Sequence, residues 1–196
     1  MSNVSDELTK RTLEAAGTLF ARHGFHRASM ADIAREAGIS RATLYLRFSD
    51  KKALLEALAT SLVSEMLNSA EAAWRADAEL AENLEATILA KELIFFRLLV
   101  ETPHGAELLA VDAELTRAHA ERLDREFSAL LARRGEEAAK GGFNLAVFGG
   151  PSGFGAFLSR AGAGLKHEAR TEADYRTCVR QLSRVVARAS APSGQV

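Results

Sequence analysis

Apolar residues recur along this chain at intervals of three and four. No stretch between turn signals alternates with period two, so the pattern predicts an all-α protein. A first helix is expected over 6–22, with Leu8, Ala15, Ala16, Leu19 and Phe20 on one face and Gly24 past its end. A second starts at a Ser29 cap with Asp32 three residues on, and carries the stripe Met30, Ile33, Ala34, Ala37. It stops at Gly38, where Ile39 folds back onto the apolar face. Ser40 then caps a third helix over 41–48 that directs Leu44 and Phe48 inward. Two short helices joined by a three-residue turn containing glycine form a helix-turn-helix pattern.

A fourth helix over 50–74, with Leu54, Leu58 and Leu62 on its buried side, is long enough to link two subdomains. Further helices are expected over 80–101, 112–134, 143–161 with a break, and 171–189, with a short turn at 104–110. Nine of the fourteen glycines fall between Gly135 and Gly164, so that stretch is either loop-rich or a helix packed close to a neighbour. Pro151 after Gly149-Gly150 is expected to kink or split the helix there. The organisation read from these signals is a helix-turn-helix domain over 6–50, a helical body over 51–190 and a flexible tail over 191–196.

Composition narrows the classes. Among 196 residues Cys178 is the single cysteine, which excludes an intrachain disulfide and, with no Cys and His cluster at zinc spacing, a structural zinc site. The first 30 residues hold no apolar run behind a basic start, and LIFFRLLV at 93–100 is far short of the roughly 20 residues a bilayer requires. These features predict a soluble cytoplasmic protein with no membrane association. The carboxylates are scattered, GFGAF lacks a full dinucleotide fingerprint and no phosphate loop occurs, so neither an enzyme nor a cofactor is expected. The net charge of −1 hides a split: up to Lys52 nine basic and six acidic residues give +3, and the remainder is −4. A basic end on an acidic body is the footprint of a chain that meets a polyanion at one end.

The third helix has the chemistry for that meeting. A helix over 41–48 is about 12 Å long and fits the roughly 12 Å width of the DNA major groove. With Leu44 and Phe48 turned inward, Arg41, Ala42, Thr43, Tyr45 and Arg47 look outward. Arg41 suits guanine O6 and N7, Ala42 and the Thr43 methyl suit a thymine methyl, and the Thr43 and Tyr45 hydroxyls suit phosphate. Lys51, at the start of the fourth helix, offers a further phosphate site.

The segment GFHRASMADIAREAGISRATLYLRFSDKKALLEAL resembles the DNA-binding domain of the TetR family of bacterial transcriptional regulators along nearly its whole length. The matching features are Gly24-Phe25, Ser29-Met30, Ile33-Ala34, Ala37-Gly38-Ile39-Ser40, Leu44-Tyr45, Phe48 and Lys51. The resemblance implies that Thr43 and Tyr45 touch the DNA backbone, that Arg41 and Ala42 help read bases and that Lys51 grips phosphate. It also implies that Arg27 and Ser29 form an edge approaching DNA; Ser40 and Arg47 complete the expected set. Leu46-Arg47 stands where a Tyr or His is more usual. The implied function is a homodimeric repressor on an inverted-repeat operator in double-stranded DNA, released by a small-molecule effector, with the last two long helices pairing across the dimer.

Beyond about residue 70 the resemblance is one of architecture. The helix over 80–101 is apolar nearly all round in its second half, with Glu92 and Arg97 inside that region. Phe95, Phe96, Arg97, Glu101, His104, His119 and an aromatic residue such as Phe148 are expected to border a pocket for a small, largely apolar ligand. The last helix puts Tyr175, Cys178, Val179, Leu182, Val185 and Val186 on one face and Arg176, Arg180, Arg184 and Arg188 on another. The alternative to a DNA-binding regulator is a helical adaptor that keeps the helix-turn-helix fold and works through protein contacts.

Overall fold

The computed structural model describes residues 2–192, with the backbone alone at 2–5, 99–100 and 167, so the expected tail lies, beyond residue 192, outside the described residues. The elements are α1 (Ser2–His23), α2 (Met30–Glu36), α3 (Arg41–Tyr45), α4 (Lys51–Ala73) and α5 (Leu80–Phe95). A π-helical turn (Phe96–Val100) follows, then α6 (Gly105–Val111), α7 (Ala113–Lys140), a 3₁₀ turn (Ala146–Phe148), α8 (Pro151–Glu168) and α9 (Glu172–Ala189). No strand occurs among the described residues, and the protein is all-α.

Three elements differ from the sequence expectation. Helix α3 ends at Tyr45, because the N–H groups of Arg47 and Phe48 both donate to Leu44 O at 3.0 Å and the last turn tightens. Helix α7 runs on to Lys140. Pro151 neither kinks nor splits a helix but opens one: the chain turns at Gly149 and Gly150, and the proline sits in the first turn of α8, where its missing N–H leaves no bond unmade.

The described residues group into two compact units, one of residues 2–65 and 94–119, the other of 66–93 and 120–192. In the first, Phe20, Ile33, Leu44 and Leu54 are fully buried and Phe25, Phe48, Leu58 and Leu108 close the core around them. Helix α6 is tied in from outside: the His104 N–H donates to Ala21 O at 3.0 Å, and Asp112 at its end pairs with Lys52 at 2.9 Å.

In the second unit Leu84, Ile88, Phe127, Leu131, Phe154, Leu158, Tyr175 and Val179 are buried. Helix α8 lies so close to α7 that a Cβ on Gly155 would sit 2.2 Å from Ser128 O and 2.9 Å from Ala132 N. The glycines therefore do permit close helix approach, within the subunit. The break between α4 and α5 is held by Asn83, which accepts from Arg75 N–H at 2.8 Å and donates to Arg75 O and Ala78 O at 2.8 and 3.1 Å.

A charged seam crosses this apolar interior. Glu92 is fully buried between Lys91, 2.6 Å away, and Lys166, 3.1 Å away, while the Lys91 ammonium also lies 4.3 Å from the centre of the Phe127 ring. Burial pushes the Glu92 carboxyl up, but the two lysines together hold it below its usual range. Burial drives the Lys91 ammonium down against the pull of Glu92. The Tyr175 phenol, buried and facing the Glu92 charge, is pushed up; its O–H donates to Gly162 O at 3.1 Å.

Candidate nucleic-acid interface

The helix-turn-helix is assembled from local bonds that its sequence dictates. Ser29 Oγ accepts the Asp32 N–H at 3.1 Å and donates to Asp32 Oδ2 at 2.5 Å. This bond, with Arg35 at 2.7 Å, holds the Asp32 carboxyl below its usual range. At the other end of α2, Ile39 N–H reaches Ala34 O at 2.9 Å and Gly38 takes φ +68°, the left-handed end read from the sequence. Glycine is needed there twice over, because a Cβ would also meet the Arg11 guanidinium at 3.0 Å. That guanidinium donates to Ala37 O at 2.6 Å and so satisfies a carbonyl the helix leaves free. Ser40 caps α3 by accepting from Thr43 N–H at 3.0 Å, and the two hydroxyls lie 2.8 Å apart. Asp50 caps α4 through Ala53 N–H at 2.8 Å, which lowers its carboxyl.

The outward face of α3 then follows. Arg41, Ala42, Tyr45 and Arg47 are exposed and Thr43 is half-buried. Between α3 and the 26–31 segment lies an open concavity of about 490 Å³ with Arg27, Ser29, Arg41, Tyr45 and Lys51 in its walls. His26, which sequence reasoning passed over, is exposed on the same rim, edge-on to the Phe25 ring at 5.6 Å. Two expected DNA residues are engaged internally. Arg47 Nη1 donates to Thr9 Oγ1 on α1 at 2.9 Å. The Lys51 ammonium donates to Phe25 O, His26 O and Ala28 O at 2.6, 3.2 and 2.9 Å and lies over the Phe25 ring.

The residues expected around an effector are placed as follows. Phe96 is buried in the first unit, but Arg97 and Glu101, read from the sequence as polar groups near an apolar interior, are exposed. The π turn from Phe96 changes the angular spacing per residue, so the face extrapolated from α5 does not continue through them. Phe95 is half-buried. His104 Nδ1 is 3.0 Å from Glu107 Oε2, whereas His119 Nδ1 is buried with no hydrogen-bond partner. In the second unit Phe148 packs on Phe154 and Phe157, with ring centres 5.4 and 5.3 Å apart. Among the described residues no group of His, Cys, Asp and Glu is arranged to hold a metal ion, and no helix is long and apolar enough to cross a membrane.

Residues 13–58 match the family of bacterial regulatory proteins of the tetR type. An HTH-type transcriptional regulator of Mycobacterium tuberculosis is 36% identical over 67 residues, covering 34% of this chain and 35% of the relative. The HTH-type transcriptional activator FasR of Mycolicibacterium smegmatis is 31% identical over 104 residues, covering 53% of this chain and 46% of that one. The chain thus spans about a third to a half of the length of these relatives. The fold extends further: a TetR-family regulator from Rhodococcus sp. superposes with a TM-score of 0.66 at 20% identity, covering 93% of this chain and 99% of the other. A transcriptional regulator from Cytophaga hutchinsonii gives 0.68 at 19%, covering 90% and 92%. Residues 13–58 thus form a helix-turn-helix domain of the TetR family of bacterial regulatory proteins, set within an all-helical fold that the solved TetR-family structures share.

Proposed function

We propose that the protein is a sequence-specific transcriptional regulator, a homodimeric repressor that binds an inverted repeat in double-stranded DNA in the cytoplasm. The observation that carries this reading is the row Arg41, Ala42 and Tyr45, exposed on a helix whose opposite side is locked into the core, beside a concavity with Arg27 on its wall. Such a face combines guanidinium, methyl and phenol groups, which suit base edges and backbone respectively. Two copies of α3 would read half-sites about 34 Å apart. Dimerisation would use α8 and α9, where Phe157 and Val185 are 44% and 65% exposed.

Release from DNA would come from a small, largely apolar ligand that binds the DNA-incompetent state more tightly and so shifts the population. Helix α4 would transmit the change, since it contributes to the first unit as far as Glu65 and to the second from Met66. The buried, unpartnered His119 Nδ1 is one polar group an effector would satisfy. The regulator reading is tested by selecting genomic fragments with the purified protein and footprinting them at physiological salt. A protected inverted repeat is expected. A folded dimer that recovers only nonspecific fragments would overturn the reading in favour of a protein-binding adaptor.

A further inference from the structure

Helix α3 presents two exposed stripes, each four residues apart. One is Arg41 and Tyr45. The other is Ala42 and Leu46, the residue that caps the end of α3: its N–H donates to Ala42 O at 3.0 Å and its backbone keeps helical angles, so it lies one turn on from the alanine. Leu46 is 87% exposed, more than any other large apolar side chain among the described residues, while Leu44 and Phe48 on either side of it are buried. It contributes nothing to the core. The exposed stripe of Arg41 and Tyr45 runs beside it, so the leucine is an apolar group on a surface that also carries a guanidinium able to attract a polyanion. The major groove has one apolar feature, the 5-methyl of thymine.

We propose that Ala42 and Leu46 together form an apolar reading stripe for thymine methyl groups in double-stranded DNA, with Leu46 as a specificity-determining residue. The inference rests on the regulator reading above. Leu46 offers no hydrogen-bonding side-chain group and adds apolar surface whose one apolar counterpart on the base edges is the thymine methyl. Specificity then arises by exclusion of water from an apolar pair, without a hydrogen bond.

The test is binding of the footprinted operator in which single thymines are replaced by deoxyuridine, which removes the methyl and keeps every base-pairing group. Wild-type protein should lose about fourfold in affinity at one or two positions per half-site, the loss for one buried methyl. Leu46→Ala and Leu46→Gln, changes at a side chain outside the core, should bind the thymine operator more weakly and show no methyl preference at those same positions. A selective wild-type complex indifferent to every methyl would overturn the Leu46 assignment alone. So would variants that weaken all sequences equally and keep the wild-type methyl response. Absence of any selective complex with wild type would overturn the regulator reading and this inference with it.

Discussion

Lys51 ties the 25–28 segment to the first turn of α4, and its three carbonyl bonds leave the ammonium no N–H for a phosphate. Its role in the fold is that of a clamp on the edge carrying Arg27 and Ser29. Lys51→Ala should therefore lower stability by about 1.5–3 kcal/mol in thermal melting, the range for hydrogen bonds that involve a charged group. It should leave the salt dependence of DNA binding unchanged. Arg27→Ala, at an exposed position, should instead leave the melt unchanged and reduce the salt slope by about one. Glu92 makes the opposite case, a charge that serves only the interior. Glu92→Gln leaves the buried Lys91 ammonium without its carboxylate and beside the Lys166 charge, and should cost about 3–5 kcal/mol. Because its folded carboxyl is depressed, its contribution is present above the unfolded value near about 4.3 and lost as pH falls through the lower folded one. Acid unfolding followed by circular dichroism should show a destabilisation starting near that pH in wild type and shallower in Glu92→Gln.

At the scale of elements, what the sequence disclosed is what local bonds decide. Ser29, Gly38 and Ser40 act within a few residues of themselves, so the two short helices and their turn were readable, as were the faces of Leu44 and Phe48. Lys91 and Lys166 meet the same carboxylate from positions 75 residues apart, and nothing in the linear pattern marks such a meeting. The exposure of Arg97 and Glu101 was not legible either, because the π turn from Phe96 changes the angular spacing of the residues that follow α5. The outward placing of Arg41, Ala42 and Tyr45 was legible in the helical pattern, but the carbonyl partners of Lys51 and the place of His26 were not, because both depend on how the 25–28 segment folds back. The glycine-rich stretch left two readings open, and the structure contains both: a turn at Gly149-Gly150 and a close contact at Gly155. Gly155→Ala should force α8 away from α7 and cost about 1–3 kcal/mol, measured by denaturant unfolding of the full chain.

For the whole molecule, the uneven charge and the exposed apolar surface suit different partners at different parts of the chain. The basic stretch up to Lys52 suits nucleic acid. In the acidic remainder Phe157 and Val185 are exposed apolar surface, which suits the isologous pairing of the proposed dimer. Val185→Glu combined with Phe157→Glu should sediment as a monomer and lose affinity for the full inverted repeat while keeping weak binding to a half-site; an unchanged dimer would move the interface elsewhere. Helix α1, for its part, holds the reading element at both ends, through Arg11 on Ala37 O before α3 and through Thr9 on Arg47 after it. A swivel of α3 that left α1 behind would break both bonds. Under the proposed regulation a signal would therefore reposition the three-helix head as one block, leaving the spacing between the side chains on α3 untouched.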